Sequence, residues 1–189
     1  MFINTFVKKN KNIFMKNFKV VVVALVMSIA AISCSSDDDN NNTSNNVMNI
    51  AGEEFDIAAA GLENYGANED GSYDWDVYLL GDGITINSST PVGQGATIYL
   101  DINTNSADGL VAGTYTYANE RAPFTWVVAD ACASFNTSNF SCASGSYNAS
   151  AGTVVISGSG NNTTIEVNLT DASGVSITAS YTGGFSSFD

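Results

Sequence analysis

The chain has 189 residues, with 19 acidic and 6 basic side chains, no histidine and a formal charge of −13. Every lysine precedes Cys34 and every carboxylate side chain follows it, so a chain beginning at Cys34 sets Arg121 alone against 19 acidic groups, a charge of −18. Such a balance excludes nucleic acid, because nothing is left to neutralise phosphates, and disfavours polybasic docking to anionic lipid. The missing histidine removes Ser-His-Asp triads and histidine-based zinc sites, and the missing downstream lysine removes Schiff bases and P-loops.

Residues 1–33 start basic and turn apolar. The run "VVVVALVMSIAAI" at 20–32 is 13 residues long. A spanning helix needs roughly 20, whereas a signal-peptide core is of this shorter length. Met15 opens "MKNFKVVVVALVMSIAAISC", a signal peptide by itself, so translation starts at Met1 or at Met15. Small Ser33 precedes Cys34, as signal peptidase II requires.

Here the sequence resembles a bacterial lipoprotein precursor, with Ala31 where leucine is commonest. The resemblance implies that residues 1–33 are removed. It also implies that Cys34 carries diacylglycerol and a further acyl chain such as palmitate, with outer-membrane lipid as its partner. Several acyl chains anchor stably where one is marginal. "CSSDDDN" sharpens the likeness: it resembles lipoproteins of the Bacteroidota, of flavobacterial type, in which an acidic run directly after the lipidated cysteine marks export to the cell surface. Asp37, Asp38 and Asp39 match that run. The rest of residues 34–47 is asparagine-rich, cannot bury itself, and reads as a flexible tether.

Residues 48–189 alternate in short segments broken by Gly, Asn, Asp and Ser. "YDWDVYLLG" sets Tyr73, Trp75, Val77 and Leu79 against Asp74, Asp76 and Tyr78. "TIYLDI" sets Ile98, Leu100 and Ile102 against Thr97, Tyr99 and Asp101. "TIEVNLTDASGVSITASYTGG" is two such strands around the turn "DASG". This is the period-two signature of a hairpin. Weaker strands fall at "EFDIAA", "GITIN", "GTYTYAN", "FTWVVAD" and "GTVVISG"; "FDIAAAGLENYG" is the one stretch that also suits a helix. The expectation is one all-β domain of about 8–9 antiparallel strands, a sandwich or a barrel, which periodicity does not separate. The tail "ASYTGGFSSFD" resembles the terminal strand of many Bacteroidota lipoproteins, which ends in Tyr-x-Gly.

With Cys34 acylated, Cys132 and Cys142 remain. Two cysteines in an exported chain predict a disulfide. They bracket "ASFNTSNFS", which reads as a loop too polar to fold alone.

In "DINTNSADG", Asp101, Asn103, Asn105 and Asp108 space oxygen ligands as calcium loops do. Ser106 stands where such a loop needs glycine, no closing glutamate follows, and a hairpin turn explains the same residues. Calcium is the one cofactor brought into question, here and at "NEDGSYDWD". Asp74 and Asp76 share a strand face about 7 Å apart, which suits a glycosidase acid and base or simply a solvated face. Trp75 and Trp126 read as core. Tyr78 and Tyr99 fall on nominally polar faces and are the aromatic candidates for ligand binding. The expected function is a surface-exposed, lipid-anchored β-domain acting as a non-catalytic binding, adhesion or accessory module, with a glycan or envelope protein as partner. The alternatives are a carboxylate-based glycan hydrolase and a structural surface-coat protein.

Overall fold

A computed structural model describes residues 46–188. The segment 1–33, Cys34, and Asp37, Asp38 and Asp39 lie outside the described residues. The rest is built from strands and one short 3-10 turn, Gly160–Asn162. In chain order the strands are β1 (Val47–Ile50), β2 (Glu53–Ala67), β3 (Tyr73–Gly81), β4 (Ile84–Asn87), β5 (Thr90–Thr104), β6 (Gly113–Tyr117), β7 (Thr125–Asn136), β8 (Ser141–Ser157), β9 (Thr163–Asp171), β10 (Ser176–Gly183) and β11 (Ser186–Ser187).

The alternating segments became strands with the expected faces inward. Around the β9–β10 turn, Asp171 Oδ1 accepts the backbone N–H groups of Ser173 and Val175, both at 2.8 Å, and Gly174 adopts φ 84°. That turn sets the register Leu169↔Ile177 and Val167↔Ala179. Ile165, Val167, Leu169, Ile177, Ala179 and Tyr181 consequently all enter the core. A one-residue slip would expose all of them, so the buried face pins the pairing.

The ladders close on themselves. β1 pairs with β2 on one side and β10 on the other, so β1, β2, β3, β5, β7, β8, β9 and β10 form an antiparallel circuit in chain order. Closure leaves few free edges. The circuit is barrel-like rather than uniform. At the end away from the β7–β8 tip the two strands part, and β6 enters between them, antiparallel to β8 and parallel to β7. β4 folds back on β5, and β11 adds in parallel to β2. The interior is packed: Trp126, Tyr115, Met48, Leu79, Leu100 and Ile165 are among its fully buried side chains. A smaller cluster of Leu80, Ile84 and Phe188 lies apart from it, with Tyr78 and Phe135 packed against it.

Three expectations change. Among the described residues eleven strands replace the expected 8–9, because β1 and β11 are too short to show a period. The helix candidate "FDIAAAGLENYG" lies in β2, bulged between Ile57 and Ala59 and between Asn64 and Gly66. Alanine permits either state, and flanking ladders to β1 and β3 decide for strand. The supposed loop "ASFNTSNFS" is mostly strand, forming the facing ends of β7 and β8. Asn136 pairs with Ser141, and the Cys132–Cys142 disulfide ties the arms with Cα atoms 5.9 Å apart. Backbone pairing and the staple replace the apolar burial that the segment lacks.

Candidate functional site

β3 and β5 send alternate residues to opposite faces. Val77, Leu79, Ile98, Leu100 and Ile102 enter the core. The other face carries three cross-strand pairs: Asp74 opposite Asn103, Asp76 opposite Asp101, and Tyr78 opposite Tyr99. The sequence suggested a solvated polar face. Instead Asp76 is 6 % exposed, Asp101 4 % and Asn103 0 %.

What covers it is the connection between β6 and β7. Phe124 donates its N–H to the Asn103 carbonyl at 2.8 Å, and Thr125 Oγ1 donates to the Ala122 carbonyl at 2.7 Å. These bonds hold the connection against β5 and bring Arg121 over the carboxylates. The guanidinium donates to Asp101 twice, Nη2 to Oδ2 at 2.7 Å and Nη1 to Oδ1 at 2.8 Å, and Nη1 also donates to Asn103 Oδ1 at 3.1 Å. Nη1 stands 2.7 Å from Asp74 Oδ1 as well, an ion pair without a hydrogen-bonding alignment, since that buried oxygen accepts no bond. Bidentate guanidinium–carboxylate pairing is the strongest contact here.

Asp76 is held differently. It accepts from Tyr99 Oη at 2.9 Å and from Tyr78 Oη at 3.2 Å. Burial raises its carboxyl to about 6, the two tyrosine bonds oppose the rise, and the charges of Asp101 and Asp74 add to it. Burial likewise raises Asp101 to about 6, with the Arg121 bond opposing and the Asp74 charge adding. Both tyrosine hydroxyls are pushed upward, first by burial and then by the Asp76 charge. They remain neutral donors throughout the physiological range.

Tyr78 and Tyr99, expected as exposed binding aromatics, are half-buried: Tyr99 donates to Asp76, and the Tyr78 hydroxyl lies between Asp76 Oδ2 at 3.2 Å and Glu63 Oε2 at 3.3 Å. Their rings pack 5.3 Å apart, and Phe188 stacks on Tyr78 at the same distance. Strand alternation located their face but not its cover. Trp75 and Trp126 are core, as expected. The residues proposed for a calcium loop are divided. Asp101 and Asn103 are strand residues bound to Arg121, whereas Asn105 and Asp108 are exposed in the connection after β5. In the other candidate stretch, Asp70 Oδ1 accepts from Ser72 N and Oγ and closes the β2–β3 turn.

Arg121 is the functional residue that motif reading missed. Its signal was present: it is the only cation in the strongly acidic portion of the chain, and buried carboxylates require a counter-charge.

The cluster has two chemical capacities. One carboxylate oxygen from each of Asp74, Asp76 and Asp101 lies within 4.8 Å of the others, a spacing that one divalent cation could bridge. Arg121 already supplies positive charge there. Asp74 and Asp76 also form a close carboxyl pair in unequal environments. A cleft of about 400 Å³, lined by Leu62, Glu63, Trp75, Phe185 and Phe188 among others, opens nearby on β2 and β3. No family model, no curated protein and no solved structure matches this chain.

Proposed function

We propose that the chain is the precursor of a surface-exposed outer-membrane lipoprotein of Bacteroidota type, whose β-domain is a non-catalytic binding, adhesion or accessory module. The anchor is Cys34, and Asp37, Asp38 and Asp39 are the export signal. One structural observation carries the non-catalytic part. The chemically capable side chains are engaged with one another: Tyr78 and Tyr99 donate to Asp76, and Arg121 clamps Asp101. Such bonding fixes the β3–β5 face as a rigid platform, and the packed interior leaves recognition to the outer surface.

Labelled palmitate is expected on the wild type and not on Cys34→Ser. Whole-cell proteinase shaving is expected to digest the protein. Label retained on Cys34→Ser overturns the anchor, and protection on intact cells overturns the outward placement. Affinity purification from outer membranes should recover an envelope partner or glycan; an empty purification overturns the module.

The second reading, a carboxylate-based glycan hydrolase, is favoured by one observation. Asp74 and Asp76 each bring a carboxylate oxygen within 4.8 Å of the other. Two carboxyls a short distance apart are what a retaining glycosidase uses as nucleophile and acid. Glycan turnover abolished by Asp74→Asn would establish this reading over the first.

A further inference from the structure

We infer that the tip of the β7–β8 hairpin, with the base of the β4–β5 hairpin it rests on, is the binding end of the domain, and that it takes an uncharged, hydroxyl-rich glycan chain. The inference rests on the binding-module reading and gives it a site. Its first support is the distribution of charge. In a chain with 19 acidic residues, residues 83–100 and 131–165 hold no charged side chain at all.

The fold sets the β7–β8 tip against the base of the β4–β5 hairpin, where Gly93 pairs with Ile84. Thr137 Oγ1 accepts from Gly93 N at 2.9 Å and donates to the Gly93 carbonyl at 3.0 Å, and Gln94 Nε2 donates to Ser134 Oγ at 2.8 Å. Phe140 stands at the β7–β8 tip with 77 % of its surface exposed, and Val92 on the neighbouring hairpin is 50 % exposed. The Phe140 ring is braced edge-on by Phe135, 6.5 Å away.

Backbone geometry supplies the second support. Phe140 has φ of 50°. Tight hairpin turns put glycine or asparagine in this left-handed region, where other side chains are strained. The β7–β8 tip retains a phenylalanine where glycine would be easier, which points to a use for it. The Cys132–Cys142 disulfide holds the β7–β8 hairpin, so the ring is ordered before any ligand arrives.

The chemistry selects the ligand. An exposed ring stacks on the C–H face of a sugar, and Ser138 and Asn139 beside it offer neutral donors and acceptors for hydroxyls. A charged ligand would find no counter-charge at the tip, and a bilayer would desolvate these polar groups without return.

The test uses the full chain carrying Cys34→Ser, so that acyl chains contribute nothing, against a panel of neutral and acidic oligosaccharides and against phosphatidylcholine vesicles. Capture of neutral oligosaccharides is expected. Phe140→Gly should weaken it about tenfold without lowering the thermal midpoint, because glycine relaxes the left-handed position. Tyr65→Ser, at an exposed aromatic elsewhere, should bind as the parent does. Equal binding by Phe140→Gly, capture of acidic oligosaccharides alone, binding to vesicles instead, or no capture at all overturns the inference. If it fails while an envelope protein still co-purifies from outer membranes, the tip loses its role and the binding-module reading stands.

Discussion

Replacing Asp76 with asparagine should stabilise the domain above pH 6 and leave it unchanged near pH 4. Burial lifts this carboxyl from 3.8 to about 6 against the pull of its two tyrosine bonds. The folded state therefore holds the proton more tightly than the unfolded chain does. Between those two values the folded state binds more protons, so stability falls as pH rises from about 4 to about 6 and stays lower beyond. At 1.36 kcal/mol per unit, the ionised group costs the native state about 3 kcal/mol at neutral pH. Asparagine matches the protonated acid in shape, is uncharged, and still accepts from Tyr99. The charge assistance in the tyrosine bonds is already contained in that raised value, so the net gain is about 3 kcal/mol. Urea unfolding followed by the fluorescence of buried Trp75 and Trp126, repeated from pH 4 to pH 8, measures it. The curves should coincide at the acid end and separate by about 1.5 M in midpoint at pH 7.5. An Asp76→Asn protein less stable than the parent at pH 7.5 would show that the ionised carboxylate is a net stabiliser, and the reasoning would be refuted.

Arg121→Met removes the bidentate clamp from Asp101. The arginine side chain is 36 % exposed, so the cost should fall below that of a fully buried pair, at about 2 kcal/mol near pH 7. That cost should shrink towards pH 4 as Asp101 takes a proton; a pH-independent loss in the same urea series would count against the clamp. Paired serine substitutions at Cys132 and Cys142 should cost about 3 kcal/mol by the loop-closure model, and reductant should bring the parent to the same midpoint. Two free thiols in non-reducing mass spectrometry of the parent would contradict that bond. Gly61→Ala would place a methyl group against the Phe188 ring, whose nearest atom is 2.1 Å from the added carbon. The carboxy-terminal segment should undock and become susceptible to carboxypeptidase, with a small change in urea midpoint; full resistance would mean that the ring is not seated on Gly61.

The all-β character and most of the strands could be read from the sequence because a strand buried on one face writes its alternation locally. Ile165, Val167 and Leu169 on β9 and Ile177, Ala179 and Tyr181 on β10 are legible for that reason, and "DASG" names its own turn through the Asp171 side chain. The disulfide followed from cysteine counting. β1 and β11 are too short to carry a period, and β2 is too rich in alanine to declare one. The closure of β1 onto β10 depends on pairings across more than a hundred residues, which no local pattern encodes.

The candidate site divides the same way. Alternation put Asp74, Asp76 and Tyr78 on one face of β3, and Tyr99 and Asp101 on the matching face of β5. Register then made them neighbours. That Arg121 covers and neutralises the aspartates was decided by the β6–β7 connection lying against β5, and that Tyr78 and Tyr99 are hydrogen-bond donors rather than open stacking surfaces was decided by the buried Asp76 between them and by Phe188 packing on Tyr78. A strand's period reports which side a residue faces. Whether that side meets water depends on distant chain, and in this protein burial is what turns an ordinary row of aspartates into groups with raised proton affinity.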